Sequence, residues 1–576
     1  MFIFRLNGFE MKLNKEQIKA VTASESSVMI LAGAGTGKTT SIVYRIKYLI
    51  EELNIDPSSI LVMTYTVKAA DNMTNSITKN IGSKGDTVES KNFHSFLLDL
   101  LSKHYNYADF KSMPRLIDDS MIGFLISEKY NNILTLRSKK FSLDKDYSIK
   151  KLRSIFSSFS DNLISNKKLD LIRYDISSMI NNSDDKSLIE NCNQLLDAID
   201  IFPLYTNWKR EINAIDFGDI IYYSYKILND NESVLNEYRN KYKYIFIDEF
   251  QDSYLALLKI MDLMVGSSTS ITVVGDDDQS IYSFKGASRY NLSGFREIYG
   301  KEDFLSVELF TNYRSTQDIL DLSNCLISQS SNRLKKTYLQ SPNKSTGKID
   351  LLIGTKDAQL DFISCAIKEK LSSGKEIAVL TRTNSQLDFV KDYFKFMDIP
   401  VADSSIKLYS LSLSKDIMRM INILSYRGIL STYSIYHQIS KLYKIPYNEI
   451  SLLGITFVNG IYYYKKDARV DSFFDFINDL IATSSKDSLH KTIDIILKFI
   501  NPDKNELNSM VYDKYHTIIN EYYNIYSSRG FRHFSRYINI KIFSSETLLD
   551  IHPKHETVRA MTVHKSKGKE FDIVFI

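Results

Sequence analysis

Lys38, Asp248, Glu249 and Gln279 are the residues of this chain best suited to do chemistry, and each stands just after an apolar run. Gly33-Ala34-Gly35-Thr36-Gly37-Lys38-Thr39 follows Val28–Ala32 and opens a stretch of helical spacing (Ile42, Val43, Ile46, Leu49, Ile50). Glycines let successive backbone N–H groups turn inward around phosphate oxygens at the positive end of a helix. In such a loop Lys38 reaches the β and γ phosphates of a nucleotide and the Thr39 hydroxyl holds Mg2+. Ala32 takes the place of the first glycine of the usual pattern and keeps that position compact. Asp248 and Glu249 close the run Tyr244–Ile247. Asp248 suits the shell of a hard, oxygen-seeking cation, and Glu249 suits a base that orients or deprotonates attacking water. Val273-Val274-Gly275 runs into three acids and Gln279, then into Tyr282 and Phe284. Flat rings stack on bases of any sequence, so one loop offers a phosphate end and a base end.

The elements that position these residues follow from the pattern. Strand-then-helix alternation marks two sheet-bearing regions and predicts an α/β chain. Four apolar residues in a row at 244–247 read as a strand buried on both faces, as in parallel sheets. Open sheets of this kind bind ligands at the carboxyl ends of their strands, where Asp248 and Glu249 stand. The first sheet region is expected over 1–95 and 216–290, with a helical insertion over 96–215. That insertion lacks strong strand runs and shows helical spacing, as in Leu188, Cys192, Leu195, Leu196 and Ile199. The second sheet region is expected over 291–404 and 556–576, with another mainly helical insertion over 405–555.

In order along nearly the whole chain, the motifs resemble those of a UvrD/Rep-type superfamily 1 DNA helicase. Leu13-Asn14-Lys15-Glu16-Gln17 looks like the adenine-reading Q motif, and Thr64–Ala70 and Asn92–Ser95 look like motifs Ia and Ib. Asp248–Asp252 matches motif II, Gly275–Ala287 motif III, Leu309–Thr316 motif IV and Thr562–Phe571 motif V. Ile377–Asn384 resembles the strand and loop after motif IV, and Asp216-Phe217-Gly218-Asp219 the acidic turn on return to the first sheet. The resemblance implies two RecA-like P-loop NTPase domains, each with a helical insertion, and ATP with Mg2+ in the cleft between them.

Residue by residue, it implies that Gln17 reads the adenine, with Gly33, Ala34, Gly35, Thr36, Gly37, Lys38, Thr39 and Thr40 around the nucleotide. Gln279 would sense the γ-phosphate, Arg314 would act as an arginine finger from the opposing domain, Tyr313 would lie on the adenine and Glu570 near the nucleotide. Metal contacts would fall to Thr39 and Asp248. Tyr65, Tyr282 and Phe284 would stack on bases, and His94, Arg382, Asn384, Thr562 and His564 would hold the sugar-phosphate backbone. The implied substrate is single-stranded DNA and its junctions with duplex, travelled 3′→5′ by a monomer or weak dimer.

Several positions depart from the family pattern. Phe284 replaces a frequent Trp, Ser283 a Gly, Lys285 an Arg and Val67 an Asn, and Thr40 stands where many members place an Arg. After motif V the chain has only Phe571–Ile576, which reads as a strand, and nothing resembling motif VI. The second domain is therefore expected to be C-terminally incomplete, with apolar surface exposed beside that strand. An ATP- and DNA-binding module or split helicase half is the alternative this raises. A phosphate-binding NTPase acting on protein partners is a third reading, opposed by Tyr282 and Phe284.

Composition sets the outer bounds. The chain has 576 residues, 44% hydrophobic and 25% charged, as in ordinary globular proteins with several cores. A formal net charge of +4 requires any strand binding to use a local basic groove rather than a basic surface overall. Arg137-Ser138-Lys139-Lys140 and Lys150-Lys151-Leu152-Arg153 are basic spots suited to a solvated helix face or to the border of a DNA path. Cys192, Cys325 and Cys365 have no metal-like spacing and no disulfide framework, which fits a reducing cytoplasm. Residues 1–13 lack a signal-peptide core, Met11 is a candidate start, and no run of 18 apolar residues suggests a membrane span.

Overall fold

A computed structural model of the chain describes residues 2–6, 9–117, 122, 126, 145–281, 290–300, 303–330, 333–343, 346–402, 406–408, 411–425, 429–484, 488–525, 531–543, 548–549 and 558–576. Tyr282 and Phe284 lie outside the described residues, as does the basic spot Arg137–Lys140.

Six parallel strands form the central sheet. Their spatial order is Phe304–Leu309, Ser27–Ala32, Ser270–Gly275, Tyr244–Ile247, Ile60–Thr64 and Glu89–Asn92. Alternation along Ser27–Ala32 explains its central place. Val28, Ile30 and Ala32 enter one core with Ile42 and Ile46 of the helix Lys38–Glu51 and with Ile60 and Val62. Met29 and Leu31 enter the opposite core with Phe96, Leu100, Ile245, Ile247, Ile271 and Val273. Burying one such side chain stabilises by about 1.5–3 kcal/mol, so the sheet is held from both faces.

A second parallel sheet has the order Val401–Ala402, Val558–Thr562, Ile377–Thr381 and Ile573–Phe575. Its core is smaller, with Leu360, Ile367, Ile377, Val379, Phe394 and Val558 among its members. The strand read at the end of the sequence forms on this sheet's edge, where Val574 is exposed. The strand Phe304–Leu309 corrects the sequence reading, which ended the first sheet region at residue 290. It pairs in register with Ser27–Ala32, after a crossover helix Asn291–Tyr299 that buries Leu292 and Phe295. A run such as Phe-Leu-Ser-Val-Glu-Leu announces a strand but not which sheet it joins.

Two helical bodies carry cores of their own. One gathers Leu152, Phe156, Ile199, Tyr205 and Trp208 on helices Lys145–Asp161 and Lys186–Glu211. Leu152 of the second basic spot is thus core, while Lys151 and Arg153 are half-buried. The other contains Ile417, Ile421, Phe473, Phe474, Ile496, Tyr515 and Phe534, on helices from Ser412–Ser425 to Phe531–Phe543. Lys209 fastens the first body to the sheet. It is 2% exposed and reaches Asp216 at 2.6 Å and Asp219 at 2.5 Å, the two acids of a capping box on helix Phe217–Asp230. Among the described residues no helix is long and apolar enough to cross a membrane.

Candidate active site

Gly33–Gly37 turns between the buried strand Ser27–Ala32 and the helix Lys38–Glu51, and two of its glycines have left-handed backbones (Gly35 φ 67°, Gly37 φ 86°). A Cβ on Gly35 would lie 2.7 Å from Arg314 Cβ and 2.8 Å from Asn312 Nδ2, and one on Gly37 would lie 2.7 Å from Gln17 Nε2. Both positions therefore need glycine for dihedral angle, and Gly35 needs it for space as well. No side chain caps the helix at Gly37, so its first N–H groups face the loop, as phosphate binding requires. Thr36 Oγ1 donates to Gly33 O at 2.9 Å and closes the turn.

Two neighbouring segments brace this loop. Gln17 Nε2 donates to Thr36 O at 3.1 Å, and Asn14 and Gln17 form a reciprocal capping box. Asn312 Nδ2 donates to Ala34 O at 2.6 Å, and the Tyr313 N–H donates to Gly35 O at 2.8 Å. Asn14 Nδ2 reaches the Tyr313 hydroxyl at 3.1 Å, which brings Gln17 and Tyr313, the two expected adenine neighbours, to one end of the loop. Thr39 and Thr40 are exposed on the first helical turn.

The acids meet Lys38 from the end of Tyr244–Ile247, two strands away, and Gln279 from the loop after the intervening Ser270–Gly275. Lys38 Nζ donates to Glu249 Oε1 at 3.0 Å and to Gln279 Oε1 at 3.4 Å. Burial pulls the Lys38 ammonium down, but the Glu249 and Asp248 carboxylates outweigh it and hold the group above its usual value. Glu249 has a left-handed backbone (φ 52°), a strain of about 1–3 kcal/mol that persists only where surroundings enforce it. Gln251 supplies part of that enforcement, donating to Glu249 Oε2 at 2.6 Å while accepting the Asp276 N–H at 2.9 Å. Burial raises and Lys38 lowers Glu249, with Lys38 and Lys567 winning, so this carboxylate stays ionised. Asp248 goes the other way, lifted by burial and by Glu249 beside it. The Asp248 carboxylate at the end of its strand and the Thr39 hydroxyl on the first helical turn are both hard oxygen donors, of the kind that fits Mg2+.

Arg314 stands on a different side than the sequence suggested. Its turn follows Phe304–Leu309 of the first sheet and is bonded to the phosphate loop, so it is not offered from the opposing domain. Arg314 Nε donates to Glu570 Oε2 at 2.9 Å, and Glu570 does come from the second sheet region. Lys567, three residues earlier, went unnoticed in the sequence. Its Nζ donates to Gln279 O at 3.1 Å and meets Asp252 Oδ2, with Glu249 Oε2 at 3.6 Å. Asp252 Oδ1 is buried without a hydrogen-bond partner, and burial pushes this acid up to about 6 despite Lys567. Gln251, Asn312 and Asp276 were likewise missed, although each lies within three residues of one that was named.

Residues 13–300, half of the chain, match the UvrD/REP helicase N-terminal domain, and residues 307–428 match the UvrD-like helicase C-terminal domain. The chain belongs to the UvrD/REP helicase family. A probable DNA helicase II homolog of Mycoplasma capricolum is 28% identical over 98% of this chain and 78% of its own length. The ATP-dependent DNA helicases PcrA of Staphylococcus epidermidis and Staphylococcus aureus are 25% and 26% identical, over 99% of this chain and 78% of theirs. Membership makes the chain an enzyme of helicase type, with the α/β architecture described above.

Of the positions expected on the nucleic-acid strand, the described ones stand at the carboxyl ends of strands in both sheets of this helicase-family chain. Half-buried Tyr65 follows Ile60–Thr64, and half-buried His94 is the second residue of the helix after Glu89–Asn92, its ring 6.2 Å from that of Phe217. Thr562 ends Val558–Thr562 opposite Thr381, and Arg382 Nη1 lies 3.3 Å from the His564 ring nitrogens. Exposed Asn384 opens the next helix after its cap, Thr383. Unread in the sequence was a basic group at this edge. Burial first, then the positive charges of Lys68, Arg559 and Lys565, lower the Lys569 ammonium, and a polyanion would offset those like charges.

Proposed function

We propose that this chain is an ATP-dependent DNA helicase that moves 3′→5′ on single-stranded DNA and separates strands in repair, replication or recombination. The observation that carries the reading is Lys567, which joins the second sheet's loop to the Gln279 carbonyl, Asp252 and Glu249. The group facing the γ-phosphate is thereby in direct touch with the sheet that must move.

Backbone N–H groups of Gly33–Thr39 and the Lys38 ammonium would hold the triphosphate, with Gln17 and Tyr313 at the adenine end. Mg2+, held by Thr39 and Asp248, would draw charge from the phosphate oxygens. Phosphate oxygens compete with Glu249 for Lys38, and a released Glu249 carboxylate is free to take a proton from water. That water's oxygen bonds to the γ-phosphorus as the bond to the β-γ bridging oxygen breaks, leaving ADP and phosphate. Gln251 keeps the Glu249 carboxylate aimed, and Arg314 neutralises charge on the phosphoryl oxygens once it leaves Glu570. Cleft closure with ATP and opening after hydrolysis would move Tyr65, Tyr282 and Phe284 against the residues at Arg382, Asn384, Thr562 and His564. Lys68 and Lys565, whose charges are felt at Lys569, together with Lys569 itself suit the strand's phosphates.

Partial duplexes with a single-stranded tail at one end test the direction. Unwinding of the 3′-tailed duplex alone, dependent on ATP and Mg2+, is the expected result. Preference for the 5′ tail, or strand separation without ATP, would contradict the proposal.

A further inference from the structure

The three acids Asp276, Asp277 and Asp278 lie within 4.8 Å of one another, a spacing that by itself invites a metal ion. A lysine ammonium already occupies their centre. Lys336 Nζ meets Asp276 Oδ1, lies 2.5 Å from Asp277 Oδ1 and 2.9 Å from Asp278 Oδ2, and its side chain is only 11% exposed. Arg333 adds a two-nitrogen contact to Asp278 at 2.9 and 3.3 Å, and the Leu334 N–H donates to Asp277 Oδ2 at 2.8 Å. Three carboxylates this close and this buried repel one another strongly unless a cation is held among them.

The same acids lead to the nucleotide. Asp276 Oδ2 accepts from Gln279 Nε2 at 2.6 Å, which turns the other end of that carboxamide, Oε1, toward Lys38 Nζ. An amide rotated by half a turn would offer N–H groups to Lys38 instead, so Asp276 fixes which atom of Gln279 faces the phosphate site. The segment that carries Lys336 continues to the phosphate loop. Leu339 packs on Gly33, so close that a Cβ there would lie 2.5 Å from Leu339 Cδ2. Gln340 exchanges main-chain bonds with the turn that bears Arg314, from its N–H to Phe310 O at 2.9 Å and to its carbonyl from the Asn312 N–H at 2.7 Å.

We propose that Lys336 is a positioning residue for nucleotide hydrolysis, acting through Asp276 to hold the Gln279 carboxamide toward Lys38 and the γ-phosphate. Its segment, from Arg333 to Gln340, ties the Gln279 loop to the phosphate loop and to the turn of Arg314. The role rests on the functional reading above and adds to it a residue that touches no nucleotide. Lys336 reaches the chemistry only through the sequence Lys336, Asp276, Gln279, Lys38.

The test is steady-state ATP hydrolysis with saturating single-stranded DNA, beside binding of a non-hydrolysable ATP analogue, for the wild type, Lys336→Met, Lys336→Arg, Gln279→Ala and Lys336→Met/Gln279→Ala. Misplacing a reacting geometry by about 1 Å costs roughly 100-fold in rate, so Lys336→Met should lose on the order of 10- to 100-fold in kcat. Its analogue Kd and KM should change little, and Lys336→Arg should recover part of the rate. In the Gln279→Ala background the Lys336→Met change should cost almost nothing further. Should Lys336→Met fail to fold with the acids left unpaired, Lys336→Met/Asp277→Asn removes one charge and leaves the Asp276–Gln279 bond in question. Wild-type kcat in a folded variant, or equal losses with and without Gln279, would overturn the role of Lys336 while leaving the functional reading intact. A wild type without nucleotide turnover would sink that reading and this inference with it.

Discussion

In the nucleotide cleft, Lys38, Glu249, Gln251, Asp276 and Gln279 form one chain of bonds, and each is buried or half-buried. Along the edge proposed to face the strand, Arg382, Asn384, Lys68 and Lys565 are exposed. The contrast follows from the two tasks. Phosphoryl transfer gains most from groups fixed before the substrate arrives, since reorganising them costs rate. A strand that slides must be gripped by groups able to let go, and exposed cations with half-buried rings hold any sequence without locking it.

The comparison breaks most visibly at Glu249. Glu249→Gln should lower turnover by about 10²- to 10⁴-fold, the usual worth of a general base, and leave single-stranded DNA affinity nearly unchanged. Loss of DNA binding in parallel would mean that the two regions are not separable. The reverse experiment is Tyr65→Ala, expected to cost about 1–3 kcal/mol of DNA binding, or roughly 5- to 150-fold in Kd, with nucleotide affinity intact. Titration with a labelled oligonucleotide and a labelled nucleotide reads both arms. Gly35→Ala should be felt in the cleft alone. A left-handed alanine costs about 1–2 kcal/mol, and its methyl would strike Arg314, so nucleotide binding should weaken and the melting temperature fall slightly.

The smallest effect is one of pH. Asp252 has its folded value raised from 3.8 to about 6 by burial, with Lys567 pulling the other way. Its contribution to stability is therefore complete below about 3.8 and lost as pH rises through 6. Glu89 is the opposite case. Burial raises it, but Lys241, Tyr242 and Lys91 outweigh burial and bring it down from 4.5 to about 2, so its contribution is complete above 4.5 and lost as pH falls toward 2. Melting temperature against pH should flatten between 6 and 4 in Asp252→Asn, and between 4.5 and 2 in Glu89→Gln. If Asp252→Asn leaves the upper limb unchanged, the cleft acid is not the source of that slope.

The same contrast governed what the sequence revealed. Gly35, Gly37 and Lys38 were legible because a phosphate loop imposes its demands on adjacent residues, in dihedral angle, space and helix dipole. Asp248 and Glu249 stood out because they close a strand pattern, whereas Gln279 was singled out through the resemblance of its loop to motif III. Arg314 was assigned to the opposing domain, whereas its turn follows the first sheet, since a single strand carries no mark of the sheet it joins. Lys336 gave no signal, being one of 73 basic residues, and Lys567 stood in the stretch matched to motif V with no role assigned to it. They meet their acids only because the fold brings together segments 60 and 315 residues apart. The influence of Lys68 on Lys569 is hidden for the same reason.

The measurement that tests the central claim most directly is the rate of ATP hydrolysis by this chain, with and without single-stranded DNA, beside Lys38→Ala. Coupling of the cleft to the strand-facing edge predicts hydrolysis that DNA stimulates strongly and that disappears in Lys38→Ala. Hydrolysis indifferent to DNA, or persisting without the Lys38 ammonium, would contradict it.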